Sequence, residues 1–420
     1  MVRLLQRLMS SPGWMRAFGF LFGRYNPWLP DHRRDPYRFY QRLREEAPIY
    51  RHPILRMWIV SRYDDAVEVL RDPRFSADRS QLALMKITRW LVRRDPDFLG
   101  LIDRNLLNLE GPDHSRVRSL VNKAFTPRRV AALRPRIETL VDELLESAAE
   151  RGDLELVRDL AHPLPVIVIA ELLGIPASDR ERFRVWSEAI VQILDPLSGE
   201  GGLGPARRAS RELAAYFRRM LEARRREPQD DLLSAMLGAE QDGNLLGEAD
   251  LLALCALILA AGHETTANLI GNAVLALLRH PEERKRLQDD PGLIGSAIEE
   301  FLRYDSPVQL TERVVAEDFE FRGVSLRRGQ LVWPLLGSAN RDPERFPDPD
   351  RLDLNRADNR HLAFGHGAHF CLGAPLARLE AEIALGALLR CFPEFDGAPE
   401  AIRWKRSVVL RGPAALPLKI

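Results

Sequence analysis

Cysteine is scarce in this chain. Cys255, Cys371 and Cys391 are its three thiols in 420 residues. An odd, sparse set makes a poor disulfide framework and suits a reducing cytosol. Their spacing does not resemble a zinc site. An excess of one charge is also missing, with 61 Lys and Arg against 60 Asp and Glu. That balance gives no global attraction for nucleic acid, and no nucleic-acid partner is expected. Internal repeats, low-complexity tracts and a clean interdomain linker are absent. So is an N-terminal membrane span: the longest apolar stretch there is Ala17 to Gly23. It is too short to cross a bilayer, and no small-residue cleavage site is evident.

The first 34 residues read as an extension. Leu4, Leu5, Leu8, Trp14, Phe18 and Leu21 are interspersed with Arg3, Arg7, Arg16 and Arg24. This pattern fits either an amphipathic segment on a membrane surface or one packed on the body of the protein. Membrane contact is therefore at most peripheral, and a cytoplasmic monomer is expected.

What is present is a core. Hydrophobic residues make up 45 % of the chain and charged residues 29 %. Residues 35–420 are expected to form one domain, mainly helical, with a smaller sheet-rich region. Short helices are predicted over 36–46 and 63–70, with a strand over 57–61 between them. Asp113 is a candidate N-cap for a helix through Ala124. Pro127 opens another helix running to about Glu150, and further helices are predicted over 163–173, 178–193 and 206–226. Pro196 should end the second of these before a flexible loop over 198–205. Leu245 to Leu278 is the longest helical pattern, all apolar from Leu251 to Ala261, and should cross the core. A helix over 291–304 and strands over 314–333, with turns at Gly323 and Gly329, precede an irregular stretch over 341–360. A last helix starts just after Cys371. Cys255 and Cys391 are expected as buried packing residues.

The sharpest chemical signal is AFGHGAHFCLGAPLARLEAE, residues 363–382. Cys371 sits in a glycine-rich turn directly before a helix. Gly365, Gly367 and Gly373 allow tight turns and close approach of backbone. The helix after it aims its N-terminal amides at the sulfur, which favours a thiolate able to bind a metal. Taken alone, the same features fit a buried structural cysteine. A nucleophile with His369 as base is a poorer fit, because the two are only two residues apart on an extended turn.

The second signal is AAGHETTAN, residues 260–268, inside the long apolar helix. Burying a carboxylate and two hydroxyls there requires partners or a task. Thr265 can donate to the carbonyl of Ala261 and widen the helix locally. A satisfied polar kink is the rival reading. Two further signals are weaker. Glu300 and Arg303 share a helix face, as do His114 and Arg118; such pairs are usually solvated. Arg313 adds a further cation at the start of the strand region.

Phe364, Gly365, Gly367, His369, Cys371 and Gly373 match FGxGxHxCxG, and the chain resembles the cytochrome P-450 family from about Asp35 onward. The resemblance implies the family's fold and haem b, with Cys371 as the axial iron ligand. It implies that His369, His114, Arg118 and Arg313 meet the haem propionates, and that Phe364, Gly365, Gly373 and Ala261 border the haem. Thr265 and Glu264 match the oxygen-activating pair. Thr265 would steady the iron-bound oxygen species, and Glu264 would relay protons. His263 reads as a satisfied neighbour. Glu300 and Arg303 match two members of a buried structural triad, with Arg351 the expected third and Arg356 the fallback.

The same resemblance implies a monooxygenase that uses dioxygen on a lipophilic small molecule. A separate ferredoxin and ferredoxin reductase would supply electrons, docking on Arg116, Arg128, Arg129 and Arg378. The pocket is expected to draw on the loop 82–106, the helices near Val191 and Ala206, the Leu257 to Ala261 face, and 307–310. Leu257, Ala261, Val308 and Gln309 are its named wall residues, with Trp90 and Phe98 nearby. Steroids or terpenoids are slightly favoured over macrolides and fatty acids. A peroxide-driven peroxygenase, a haem protein that binds ligand without turnover, and an isomerase or dehydratase on the same haem stand as alternatives.

Overall fold

The apolar run at the centre of the sequence becomes one helix, Glu248–Arg279, that passes through the middle of the protein. A computed structural model describes residues 24–27, 29–194, 203–241 and 247–420. Within the described residues this helix alone is long and apolar enough to cross a membrane, yet most of it is buried by its neighbours. The helices Pro163–Leu172, Arg180–Leu194 and Ala374–Cys391 pack along it. Their apolar faces meet in one large core that includes Ile169, Phe183, Leu254, Ile270, Leu385 and Leu388. Burying such side chains contributes roughly 1.5–3 kcal/mol each before the opposing entropy.

The sheet region is smaller and set to one side. Five short strands lie in the order Ile49–Arg51, Trp58–Val60, Leu331–Pro334, Arg313–Val315 and Phe75–Ser76. Trp58–Val60 runs parallel to Leu331–Pro334, and the other pairs are antiparallel. Phe319–Phe321 and Val324–Leu326 form a hairpin closed by Arg322 and Gly323, both at positive φ. That two-residue turn matches the strand twist. The sheet fixes Arg313 at the start of its strand, where it is buried.

Most predicted helices are present, with local differences. Glu110, not Asp113, precedes the helix Gly111–Ala124. The helix expected from Pro127 to Glu150 is two, Pro127–Ala132 and Arg134–Arg151, because Pro135 opens a new first turn. The expected loop over 82–106 contains two helices, Ala83–Val92 and Pro96–Asp103. Asp95 caps the second by accepting from the Phe98 amide. Cys255 is buried as expected, but Cys391 is exposed at the end of its helix. The stop at Pro196 lies outside the described residues, as does the loop over 198–205 as far as residue 202; 203–205 open the helix Leu203–Arg226.

Residues 1–23, which carry most of the amphipathic pattern, also lie outside the described residues. From Arg24 the extension is part of the body. Tyr25 and Asn26 are buried, His32 stacks on Phe39 at 3.5 Å, and the carbonyls of Arg33 and Arg34 accept from Arg411. These contacts pack the described residues before Asp35 against the rest of the protein.

Candidate active site

Cys371 ends the glycine turn at the floor of a cavity of about 360 Å³. Gly365 and Gly367 both hold φ of 72°, where a side chain would be strained. A Cβ on Gly367 would also meet the Leu70 carbonyl at 3.0 Å. The Cys371 amide donates to the Phe364 carbonyl at 2.9 Å, which closes the loop. Gly373 has an ordinary φ, so it is not needed for the turn; a Cβ there would meet no atom within 4 Å. That position borders open space in the cavity.

Burial pushes the Cys371 thiol up, while the amides of Gly373 and Ala374 and the nearby Arg118 pull it down. Desolvation wins in the metal-free protein. A bound ferric ion would reverse this, because a coordinating thiol is deprotonated outright. Among the described residues no cluster of His, Cys, Asp or Glu could hold a metal on its own. A lone thiolate beneath a cofactor that carries its own iron is the arrangement the donors fit.

The basic side chains of this site strengthen that fit. Arg313 is buried, and burial pushes its guanidinium down to about 10. It donates to the Glu312 carbonyl at 2.8 Å and forms no ion pair among the described residues. His114 is buried, and its Nε2 has no hydrogen-bond partner. Its ring lies 4.3 Å from that of His369. Burial, with help from Arg313, His114 and Arg118, pushes His369 down to about 3. Burial also lowers Arg118, which donates to the Phe370 carbonyl at 2.5 Å. Arg313 and His114 are buried, Arg118 and His369 are half-buried, and none of the four forms an ion pair among the described residues. The two carboxylates of a haem would supply the anionic partners.

The opposite wall is the long helix. Leu254, Leu257, Ala261, Gly262, Thr265 and Thr266 line the cavity. Thr265 Oγ1 donates to the Ala261 carbonyl at 3.0 Å, as the spacing predicts. The expected widening is not found, because the helix stays α-helical throughout. A Cβ on Gly262 would collide with Ile169 at 2.8 Å, so that glycine also serves the packing of the neighbouring helix.

Glu264 is absent from the cavity wall. It pairs with Lys405 at 3.3 Å. His263 is satisfied by the Leu259 carbonyl at 2.9 Å and Ser187 at 3.2 Å. Lys405 was invisible to sequence reasoning, since 141 residues separate it from Glu264 and no local pattern links them. The Arg79–Glu312 pair, at 3.0 Å in the cavity wall, was missed for the same reason.

Several expected wall residues lie elsewhere. Leu257, Ala261, Val308, Phe364, Gly365 and Gly373 line the cavity. Gln309 does not. Along that extended segment its side chain points to the opposite side, where it hydrogen-bonds Tyr40, Tyr37 and the Ser306 carbonyl. Val191 and Ala206 are not cavity residues, and Phe98 is buried in its own cluster with Val92, Ile102 and Ala206. Trp90 is 62 % exposed on the outside.

The structural cluster needs one correction. Glu300 and Arg303 are fully buried and bonded twice at 2.8 Å. Their third partner is Arg356, whose Nε lies 3.2 Å from Glu300 Oε2. Arg351 offers only its backbone carbonyl, 3.2 Å from Arg303, and is itself exposed. The Asp353 amide and Asn359 also donate to Glu300. The basic face is smaller than expected too. Arg116 pairs with Asp250, and Arg378 pairs with Glu299 at 2.6 Å. Arg128 and Arg129 remain exposed.

A family model described as Cytochrome P450 matches residues 20–291 and 292–403. The chain is 45 % identical over 394 residues to Cytochrome P450 107B1 of Saccharopolyspora erythraea, covering 92 % of this chain and 95 % of that one. It is 41 % identical to the Vitamin D(3) 25-hydroxylase of Pseudonocardia autotrophica, covering 92 % and 94 %. The solved structure of the bacillaene polyketide synthase cytochrome P450 PksS from Bacillus subtilis superposes with a TM-score of 0.87. That match is at 40 % identity and covers 94 % of this chain and 99 % of that one.

Proposed function

The chain belongs to the cytochrome P450 family of haem monooxygenases, with haem b as cofactor, and from that premise we propose that it oxygenates a lipophilic small molecule above Cys371. One observation carries this reading. The cavity that holds both the thiol and Thr265 has a mainly aliphatic lining, including Leu254, Leu257, Ala261, Val308 and Leu410, and such a lining suits a lipophile. When bound, haem supplies the reductive activation of dioxygen that no side chain can perform.

The chain's own residues do the rest. Cys371 would hold the iron, with Gly373 and Ala374 amides steadying its charge. Arg313, Arg118, His114 and His369 would hold the propionates. Leu257, Ala261, Val308 and Leu410 orient the substrate and exclude water. Thr265 Oγ1 stands at the wall where a proton must be held, and Glu264, released from Lys405, would bring protons from outside. The relatives named for a polyketide and for vitamin D(3) support a bulky polyketide-like or steroid-like lipophile. Electrons would come from a separate ferredoxin system docking near Arg128 and Arg129, in the cytoplasm.

The test is a titration of the haem-loaded ferric protein with steroids, terpenoids, macrolides and fatty acids, monitored by haem absorption. A saturable low-spin to high-spin shift with one class, then oxygenated product from that class, is expected. Failure of every lipophile to shift the spectrum would remove the substrate reading. Failure to bind haem at all would remove the role of Cys371.

A further inference from the structure

The helix Ala83–Val92 carries two apolar faces. Val92 and Met85 turn inward to pack with Phe98, Ile102 and Ala206. Ile87, Trp90 and Leu91 turn outward and are 56 %, 62 % and 58 % exposed. Their spacing of three and four places them on one stripe. Single exposed apolar residues need no explanation, but a contiguous stripe with a tryptophan does.

The charges within this segment of sequence are of one sign, although Arg79 turns to Glu312 in the cavity wall. Residues 79–94 contain Arg79, Lys86, Arg89, Arg93 and Arg94 and no acid, in a chain whose bases and acids otherwise balance. Arg89 is held by Asp103 at 3.0 Å, and Arg93 lies over the Trp90 ring at 4.7 Å. Lys86 and Arg94 are exposed and have no side-chain partner among the described residues. Residues 1–30 repeat the composition, with four arginines and no acid.

The position of the helix gives the stripe a use. Ala77 and Arg79 before it, and Leu106 and Leu107 after it, line the cavity. Leu107 is itself 41 % exposed, so the cavity approaches the surface beside this segment.

We propose that the outward face of this helix docks on the headgroup layer of an anionic lipid bilayer and holds the cavity mouth against it. Aliphatic side chains and a tryptophan flanked by unpaired cations match the interfacial layer in both polarity and charge. An acidic protein would need its carboxylates matched to particular partners, and the exposed apolar stripe offers none.

The test uses the haem-loaded full chain and no substrate, so it is independent of the substrate reading. The protein is sedimented with vesicles of phosphatidylcholine alone, or with about one third phosphatidylglycerol, at low and high salt. Salt-sensitive binding to the anionic vesicles only is expected. Lys86→Glu with Arg94→Glu should weaken it by roughly tenfold or more, given the charge each cation contributes at a membrane surface. Trp90→Ser should weaken it several-fold through lost interfacial burial, roughly independent of salt. An unchanged haem spectrum shows that each variant is folded. Absence of binding at low salt overturns the proposal. So does binding that survives both variants, or binding to an acidic carrier protein without any to vesicles.

Discussion

Arg356 Nε lies 3.2 Å from Glu300 Oε2, while Arg351, five residues earlier, turns its side chain to solvent. Without Arg356, Glu300 keeps Arg303, Asn359 and the Asp353 amide, so the change removes a charged hydrogen bond but leaves no charge unpaired. Arg356→Ala should therefore destabilise the protein by about 1.5–3 kcal/mol. Arg351→Ala should stay within about 0.5 kcal/mol of the parent. Urea unfolding of the two variants decides it, and equal losses would contradict the assignment.

Arg313 should show opposite effects with and without haem. In the haem-free protein it is a buried cation lacking an ion pair among the described residues, so Arg313→Leu is expected to be neutral or stabilising. In the loaded protein the same change deletes a charged hydrogen bond of roughly 1.5–3 kcal/mol, so haem should leave about ten- to a hundredfold faster. Thermal unfolding of the haem-free form and haem transfer to an acceptor globin measure the two arms.

Glu380 is buried with neither carboxyl oxygen hydrogen-bonded, and burial raises its pKa well above 4.5. The unfolded chain loses this proton near 4.5, whereas the folded chain keeps it. The folded state therefore binds more protons above that pH, and stability falls as pH rises toward the folded value. Glu380→Gln should abolish this slope. Urea unfolding at several pH values between about 4 and 8 would show parallel curves for parent and variant if the prediction fails.

Thr265→Ala should leave haem binding intact and divert reductant from product to peroxide. The hydroxyl that lines the cavity is gone, but the wall is otherwise unchanged. Glu264→Gln should slow turnover by roughly 10²-fold, the low end for a lost proton donor. Product, peroxide and reductant measured together separate the two effects. Unchanged product per reductant in Thr265→Ala would speak against its role.

The haem loop was legible because its chemistry is local. Phe364 to Gly373 must supply a turn, a thiol and a helix start within one short stretch, so the glycines stand in register with the cysteine. The helix Glu248–Arg279 was legible for the same reason, since its apolar run and Thr265 are read together. Helical spacing put His114 and Arg118 on one face, and the family resemblance assigned that face to the haem edge. What tertiary structure alone decided lies between distant segments. Arg356 rather than Arg351 reaches Glu300 because of how an irregular loop folds back across 56 residues. Gln309 faces Tyr40 instead of the cavity because an extended chain alternates its sides. Glu264 meets Lys405 because the C-terminal region packs beside the long helix. Sequence by itself determines which side chains a local element can offer. Only the packed fold sets the direction each one faces, because that depends on partners far away in the chain.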